Sequence, residues 1–294
     1  MSSHSHTGFQ KPYFIVTWVE FGISILLLAA RWYISLRIVK YVARDLPLAI
    51  ATFTFGAASM VMLTTAAGNG LGVAETALDT TASSYALLFG WVNQFLALIA
   101  IGLGKLTIVA FLQQIQGYHT VFRTVLLWSL AGSNLIVNCI AAALLIVQCD
   151  PVQKLWVDAI PGSCSGQKRI QVFGYVQGSK YIHTHDLYHY TPLPWPSIGQ
   201  ANAKLVSRLI AWSAVCDLAL ALFPILLFAR VRAITSPIRI GLSLLMGSGI
   251  AVGGCTIVKT IAVGRLTTFT DATRQLDNVI VWNQSEMWVV FIVS

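Results

Sequence analysis

Seven apolar stretches, most of them long enough to cross a bilayer, follow one another along this chain. A membrane core is roughly 30 Å thick, so a spanning helix needs about 20 largely uncharged residues. The pattern predicts an all-α polytopic membrane protein with a seven-transmembrane helix bundle, whose last helix is truncated. The predicted spans are Tyr13–Tyr33, Leu46–Ala67, Tyr85–Leu112, Thr124–Val147, Leu209–Ala229, Ile240–Val263 and Asn278–Ser294.

Composition supports this class of protein. The chain has 294 residues, of which 56% are hydrophobic and only 10% are charged, unlike a soluble globular protein. The net charge of +8 comes from bases beside the spans, so it indicates topology and not nucleic-acid binding. We expect a tail over residues 1–12 and one transmembrane domain over residues 13–294, with a long outer loop at 148–207.

The basic residues also predict the orientation. Arg31, Arg37, Lys40 and Arg44 follow the first span, whereas the loop after the second span carries Glu75 and Asp79 without a base. Positively charged short loops stay in the cytoplasm. The N-terminus is therefore expected outside and the C-terminus in the cytoplasm, in a protein of the plasma membrane. The long loop 148–207 is also basic, but long loops cross membranes with less regard to charge.

Two cysteines stand apart from the three that fall inside spans. Cys149 and Cys164 both lie in the predicted outer loop, fifteen positions apart. An oxidising compartment would join them, and closing a loop of that size contributes about 3 kcal/mol in the chain-entropy model. The alternative is two unpaired thiols. The disulfide is the prediction, because the outer location follows independently from the charge pattern.

Ionisable and amide side chains inside the spans are the candidate ligand-binding residues. Charged groups in hydrocarbon are costly unless they are paired or hydrated, so each marks a functional hypothesis. All five predicted residues fall in the outer half of the bundle, namely Glu20, Asn93, Asp217, Lys259 and Glu286. They either line one polar cavity open to the outside or form separate ion pairs and snorkelling contacts. Lys105 lies nearer the inner end of its span and is interpreted as an interfacial anchor.

Other kinds of chemistry find little support. Retinal proteins attach the chromophore to a lysine in the last helix, and the last span here has no lysine, so no retinal cofactor is expected. His183, His185 and His189 lie in an irregular loop without a second ligand cluster, so no metal site is predicted. We expect no enzymatic activity, because no nucleophile–base pair, metal motif or phosphate loop is present.

Several segments resemble the fungal rhodopsin-domain family of seven-helix membrane proteins, which is related to fungal receptor-like proteins. The resemblance covers most of the chain and rests on these segments in this order: Gly68–Gly72 (GNGLG), Gly102–Gln113 (GLGKLTIVAFLQ), Cys149 to Pro151 with Trp156 and Cys164, Ser213–Ile225 (SAVCDLALALFPI), and Trp282 with Glu286. The family name describes the helix count and does not imply a chromophore. The stretch Gly178–Gly199 has no counterpart that we recognise.

Two functions remain open at this point. The first is a receptor-like protein that senses an extracellular or surface-derived small molecule and couples through its basic inner loops, with a heterotrimeric G protein as the candidate partner. The second is a non-signalling transporter or an accessory membrane protein of secondary-metabolite biosynthesis. Membrane lipid is the one partner that the sequence requires, and nucleic acid is not expected.

Overall fold

The regular structure of the described residues is helical. A computed structural model describes residues 10–37, 45–73, 78–116, 121–147, 149–157, 159–164 and 272–294. They form five α-helices and one 3-10 turn at Val152–Leu155. The helices are α1 (Gln10–Arg37), α2 (Leu46–Gly68), α3 (Thr80–Gln116), α4 (Val121–Ile146) and α5 (Ala272–Val293). The predicted all-α fold class is confirmed.

Four of these helices are long and apolar enough to cross a membrane. The apolar segments are Phe14–Tyr33, Leu46–Gly68, Thr80–Gln113 and Thr124–Ile146, and α5 contains a shorter one at Val279–Ile292. The predicted spans Leu209–Ala229 and Ile240–Val263 lie outside the described residues, so the count of seven stays a prediction. The protein is a multi-pass membrane protein.

Helix directions follow from which residues meet. α2 runs antiparallel to α1 and α3, α4 runs antiparallel to α3, and α5 runs parallel to α3. Helices α1 and α2 meet at Phe21–Phe53 and Arg31–Asp45, and α2 and α3 meet at Ser59–Asn93 and Thr52–Thr107. Helices α3 and α4 meet at Gly102–Leu135 and Gln113–Trp128, and α3 and α5 meet at Gly90–Leu276 and Gly104–Val290. Helix α4 thus ends on the side where α5 begins.

Two glycines of α3 hold helices on opposite sides. Gly102 and Gly104 are two positions apart, which is about 200° around a helix. A Cβ on Gly102 would lie 2.6 Å from Leu135 Cδ1 of α4, and a Cβ on Gly104 would lie 2.7 Å from Val290 Cγ1 of α5. Small residues let membrane helices pack closely without a solvent-driven force. These glycines therefore fix α3 between α4 and α5.

An aromatic cluster joins α1, α2 and α5. Phe21 and Phe53 stack with ring centroids 5.8 Å apart, and Trp288 lies 5.2 Å from Phe21 and 6.1 Å from Phe53. The Trp288 indole is fully buried and reaches the surface of α2 at Gly56, where a Cβ would be 3.0 Å from its Cη2 atom. This packing sets the rotation of α5 against α2.

The turn after α2 depends on glycine. Gly70 and Gly72 have φ values of 96° and 84°, a conformation that L side chains rarely adopt. Between them Leu71 is fully buried in the main hydrophobic core. The GNGLG segment thus ends α2 and returns an apolar side chain to the bundle.

Candidate functional site

A buried polar cluster links α2, α3 and α5. Asn93 Nδ2 donates to the backbone carbonyl of Ser59 at 2.6 Å and to Gln284 Oε1 at 3.3 Å. Gln284 Nε2 donates to Ser59 Oγ at 3.1 Å, and that hydroxyl also donates to the Gly56 carbonyl at 2.8 Å. Ser59, Asn93 and Gln284 are all 0% exposed. We call Ser59, Asn93 and Gln284 the amide cluster.

Two acceptor oxygens at this level of α3 are not used. Within the described part of the chain, Asn93 Oδ1 and Gln94 Oε1 are buried and accept no hydrogen bond. Buried polar groups are usually paired, and in hydrocarbon there is no solvent to replace the missing partner. The level of the amide cluster therefore retains unused capacity to accept hydrogen bonds.

Glu20 lies beside α5 at the same level. Its carboxyl group interacts with the Ser285 side chain, which places the carboxyl between α1 and α5. The other carboxyl oxygen, Oε2, is buried and has no hydrogen-bond partner among the described residues. Glu20 is about 9 Å from the start of the apolar segment at Phe14, at a rise of 1.5 Å per residue.

Glu286 is buried on another face of α5. It is 4% exposed, and because it is two positions after Gln284, the two side chains lie about 160° apart around the helix. It does not share the face that meets the amide cluster. Trp282 is four residues earlier and so lies on the same face as Glu286.

The structure therefore brings some of the predicted site residues together and separates others. Asn93 lies in the amide cluster, Glu20 lies at the α1–α5 contact, and Glu286 lies on the far side of α5 from Gln284. Asp217 and Lys259 lie outside the described residues. The single shared cavity stays a prediction.

Lys105, which is not one of the candidate site residues, is more deeply buried than the sequence predicted. Lys105 was expected to be an interfacial anchor, but it is only 3% exposed, and α3 continues past it to Gln116. The anchor interpretation is wrong, because Lys105 lies within the apolar segment Thr80–Gln113, eight residues before its end, and its side chain is buried.

Sequence reasoning did not select Ser59, Gln284 or Ser285. Gln284 and Ser285 belong to the polar run Asn283–Glu286, whose interruption of an apolar helix was the available signal. Nothing comparable marks Ser59, since isolated serines are frequent in membrane helices and satisfy themselves by bonding to the preceding turn.

A disulfide-closed hairpin lies at the end of α4. Cys149 and Cys164 are bonded, with Cα atoms 4.0 Å apart, so this prediction is confirmed. Asp150 and Ser163 exchange two backbone hydrogen bonds of 3.0 Å, and Trp156 packs against the main hydrophobic core. Because α4 ends where α1 and α3 begin, the hairpin lies at the end of the bundle nearest the amide cluster and Glu20.

Comparison with known proteins agrees with this architecture. The described part of the bundle contains four helices that are long and apolar enough to cross a membrane, as in a multi-pass membrane protein, and it carries a loop closed by a disulfide. The family model of the fungal rhodopsin domain matches residues 28–210, more than half of the chain, and the protein belongs to that family. The match includes Asn93 and both hairpin cysteines but neither Glu20 nor Glu286. No curated protein and no solved structure gives a significant match.

Proposed function

We propose that this protein is a receptor-like sensor that binds a small molecule from the outer side of the plasma membrane. The observation that carries the proposal is the distribution of polar groups. Side chains from α1, α2, α3 and α5 gather at one level, in the half of the bundle that bears the disulfide hairpin. Polar groups inside a membrane bundle are costly and are usually retained for function.

The hairpin supports an outer location for this end of the bundle. Disulfides form and persist in oxidising compartments. The hairpin lies on the same side as the start of α1, which agrees with the charge pattern that predicts an outer N-terminus. Protease access to the Arg230–Arg239 loop in intact cells would contradict this orientation, whereas access only after permeabilisation is the expected result.

The test of sensing changes Glu286, a buried acid and one of the residues on which the resemblance to the family rests. The full chain and the Glu286→Gln variant are expressed at equal membrane levels in a fungal host, with the exposed Asp79→Asn as the matched carboxyl-to-amide control. Transcriptional response and cellular uptake are measured with the same panel of small molecules. A receptor loses the response without a change in uptake, while a change in uptake alone would favour the transporter and overturn the proposal.

A further inference from the structure

The carboxyl group of Glu20 is placed where α1 changes from facing the bundle to facing lipid. Thr17 and Ser24, one turn to either side, are 1% and 0% exposed, whereas Val16 and Ile23 are 49% and 42% exposed. Residues three and four apart lie on one side of a helix, so Glu20 borders both surfaces. Its contact on the bundle side is the Ser285 side chain.

On α1, α2 and α5, within the described residues, no lysine or arginine occupies a position within two helical turns of Glu20 or Ser285. Helix α2 contains no ionisable residue. Helix α5 contains two acids, Asp277 and Glu286, and one base, Arg274, which is eleven positions before Ser285. On α1 itself, Lys11 and Arg31 are about 14 Å and about 16 Å away along the helix axis. Lys105 of α3 follows Gly104, and Gly104 lies against Val290 of α5. Val290 is about 8 Å beyond Ser285 along the axis of α5.

We propose that Glu20 and Ser285 form a proton-binding site within the membrane, and that proton binding at Glu20 controls the contact between α1 and α5. A carboxylate at the edge of hydrocarbon must be paired, hydrated or neutralised. The described helices supply no cation, and Oε2 has no hydrogen-bond donor among them. A bound proton removes the charge with no additional side chain.

The site gives the bundle a way to respond to acidity on its outer side. With the proton bound, the neutral carboxyl is compatible with a closed α1–α5 contact beside lipid. When the proton leaves, the Ser285 hydroxyl supplies only one donor to the anion, so water must enter beside the carboxyl and open the α1–α5 contact. This step rests on the proposed function only in treating the change as a signal, since proton binding itself needs no ligand.

Labelling with dicyclohexylcarbodiimide tests the site directly. This apolar reagent enters from lipid and adds to a protonated carboxyl, whose acyl group then moves from oxygen to nitrogen and leaves a stable N-acylurea. The full chain in lipid nanodiscs is labelled between about pH 6 and about pH 9, and the modified peptides are quantified by mass spectrometry. We expect labelling at Glu20 to fall at least about fivefold over this range, as for a titrating acid.

Matched variants separate the site from general effects. Glu20→Gln should fold and lose the label at this position, and Ser285→Ala should extend labelling to higher pH, because a hydroxyl that donates to the anion has been removed. Ser24→Ala is the control, since the Ser24 hydroxyl donates to the Glu20 backbone carbonyl at 2.8 Å and not to the carboxyl group. It should leave the labelling profile unchanged.

Two results would overturn the proposal. One is absence of the Glu20 label at every pH in folded protein, which indicates a permanently ionised group. The other is labelling that does not depend on pH. Because the measurement uses purified protein without a ligand, it stands even if the Glu286→Gln sensing experiment fails, so the two proposals can fail separately.

Discussion

Asn93 of α3 donates a hydrogen bond of 2.6 Å to the backbone carbonyl of Ser59 in α2, and both residues are fully buried. The Ser59 carbonyl, which belongs to α2, thus accepts a hydrogen bond from a second helix. The same amide group also reaches Gln284 of α5 at 3.3 Å. One side chain thus connects three helices at a level where water is not available to replace it.

A double-mutant cycle on Asn93 and Gln284 measures this connection. Asn93→Ala removes both hydrogen bonds and leaves a small cavity, so we expect a loss of about 1–2 kcal/mol of unfolding free energy. Asn93→Ala and Gln284→Ala together should show a coupling of about 0.6 kcal/mol, typical of side-chain hydrogen bonds in membrane helices. Stability is measured by denaturant unfolding in detergent micelles.

The control for this cycle is the exposed hydrogen bond of 2.7 Å from Trp128 Nε1 to Gln113 Oε1. Gln113→Ala should change stability by less than about 0.5 kcal/mol, as surface substitutions usually do. Additive effects of Asn93→Ala and Gln284→Ala would show that the two amides stabilise the bundle independently.

Gly56→Val should displace the Trp288 indole. A Cβ at this position is 3.0 Å from Trp288 Cη2 and 3.2 Å from Met287 Cε, and the branched side chain adds two methyl groups there. Overpacking of this kind costs about 1–3 kcal/mol. The thermal unfolding midpoint of the detergent-solubilised protein should fall accordingly. Gly132→Val is the control, because nothing lies within 4 Å of a Cβ on Gly132, and equal losses for both variants would argue against the packing explanation.

The spans α1 to α4 could be predicted because an unbroken apolar run is sufficient for a membrane helix. The ends of α2 were predicted to within one residue, whereas those of α1 and α3 were not. Helix α3 begins at Thr80, before the predicted Tyr85, since Ser83 bonds back to the Asp79 carbonyl and Thr81 bonds to the Asp79 side chain. These polar residues lie before the predicted span yet continue the helical hydrogen bonding.

The partners of Asn93 could not be predicted from the sequence for a different reason. Helices that are apolar on all sides carry no hydrophobic stripe that fixes their rotation. Rotation in this bundle follows from close contacts such as Gly56 with Trp288 and Gly104 with Val290, which join residues far apart in the chain. The cysteine pair was easier, because its fifteen-residue separation is local.

Removal of the disulfide should destabilise the end of the bundle that carries the hairpin. In the chain-entropy model, a loop of this length contributes about 3 kcal/mol, and the bond also holds the hairpin from which Trp156 packs against the core. Replacing both Cys149 and Cys164 by Ser should lower the thermal unfolding midpoint and speed proteolysis of the hairpin. Cys139→Ser, which changes an exposed free thiol on α4, should have no such effect. Unchanged proteolysis in the double variant would mean that the hairpin is held by its apolar contacts alone.

Asp277 should make the stability of the protein depend on pH. It lies before the apolar segment Val279–Ile292 of α5, and burial raises the pKa of its carboxyl group from 3.8 to about 6. The native state then holds the proton more tightly than the unfolded state, so stability is greatest below about pH 4 and falls as the pH rises towards about 6.

Asp277→Asn should remove this fall, because the amide carries no charge at any pH in the range. At about pH 7.5 the variant should be more stable than the parent by up to about 3 kcal/mol, the free energy that corresponds to the shift of about two pKa units. Below about pH 4 the two proteins should have similar stability. Thermal unfolding in detergent at a series of pH values gives the comparison. A variant that is less stable than the parent at about pH 7.5 would show that the Asp277 carboxylate has a stabilising partner that outweighs its desolvation.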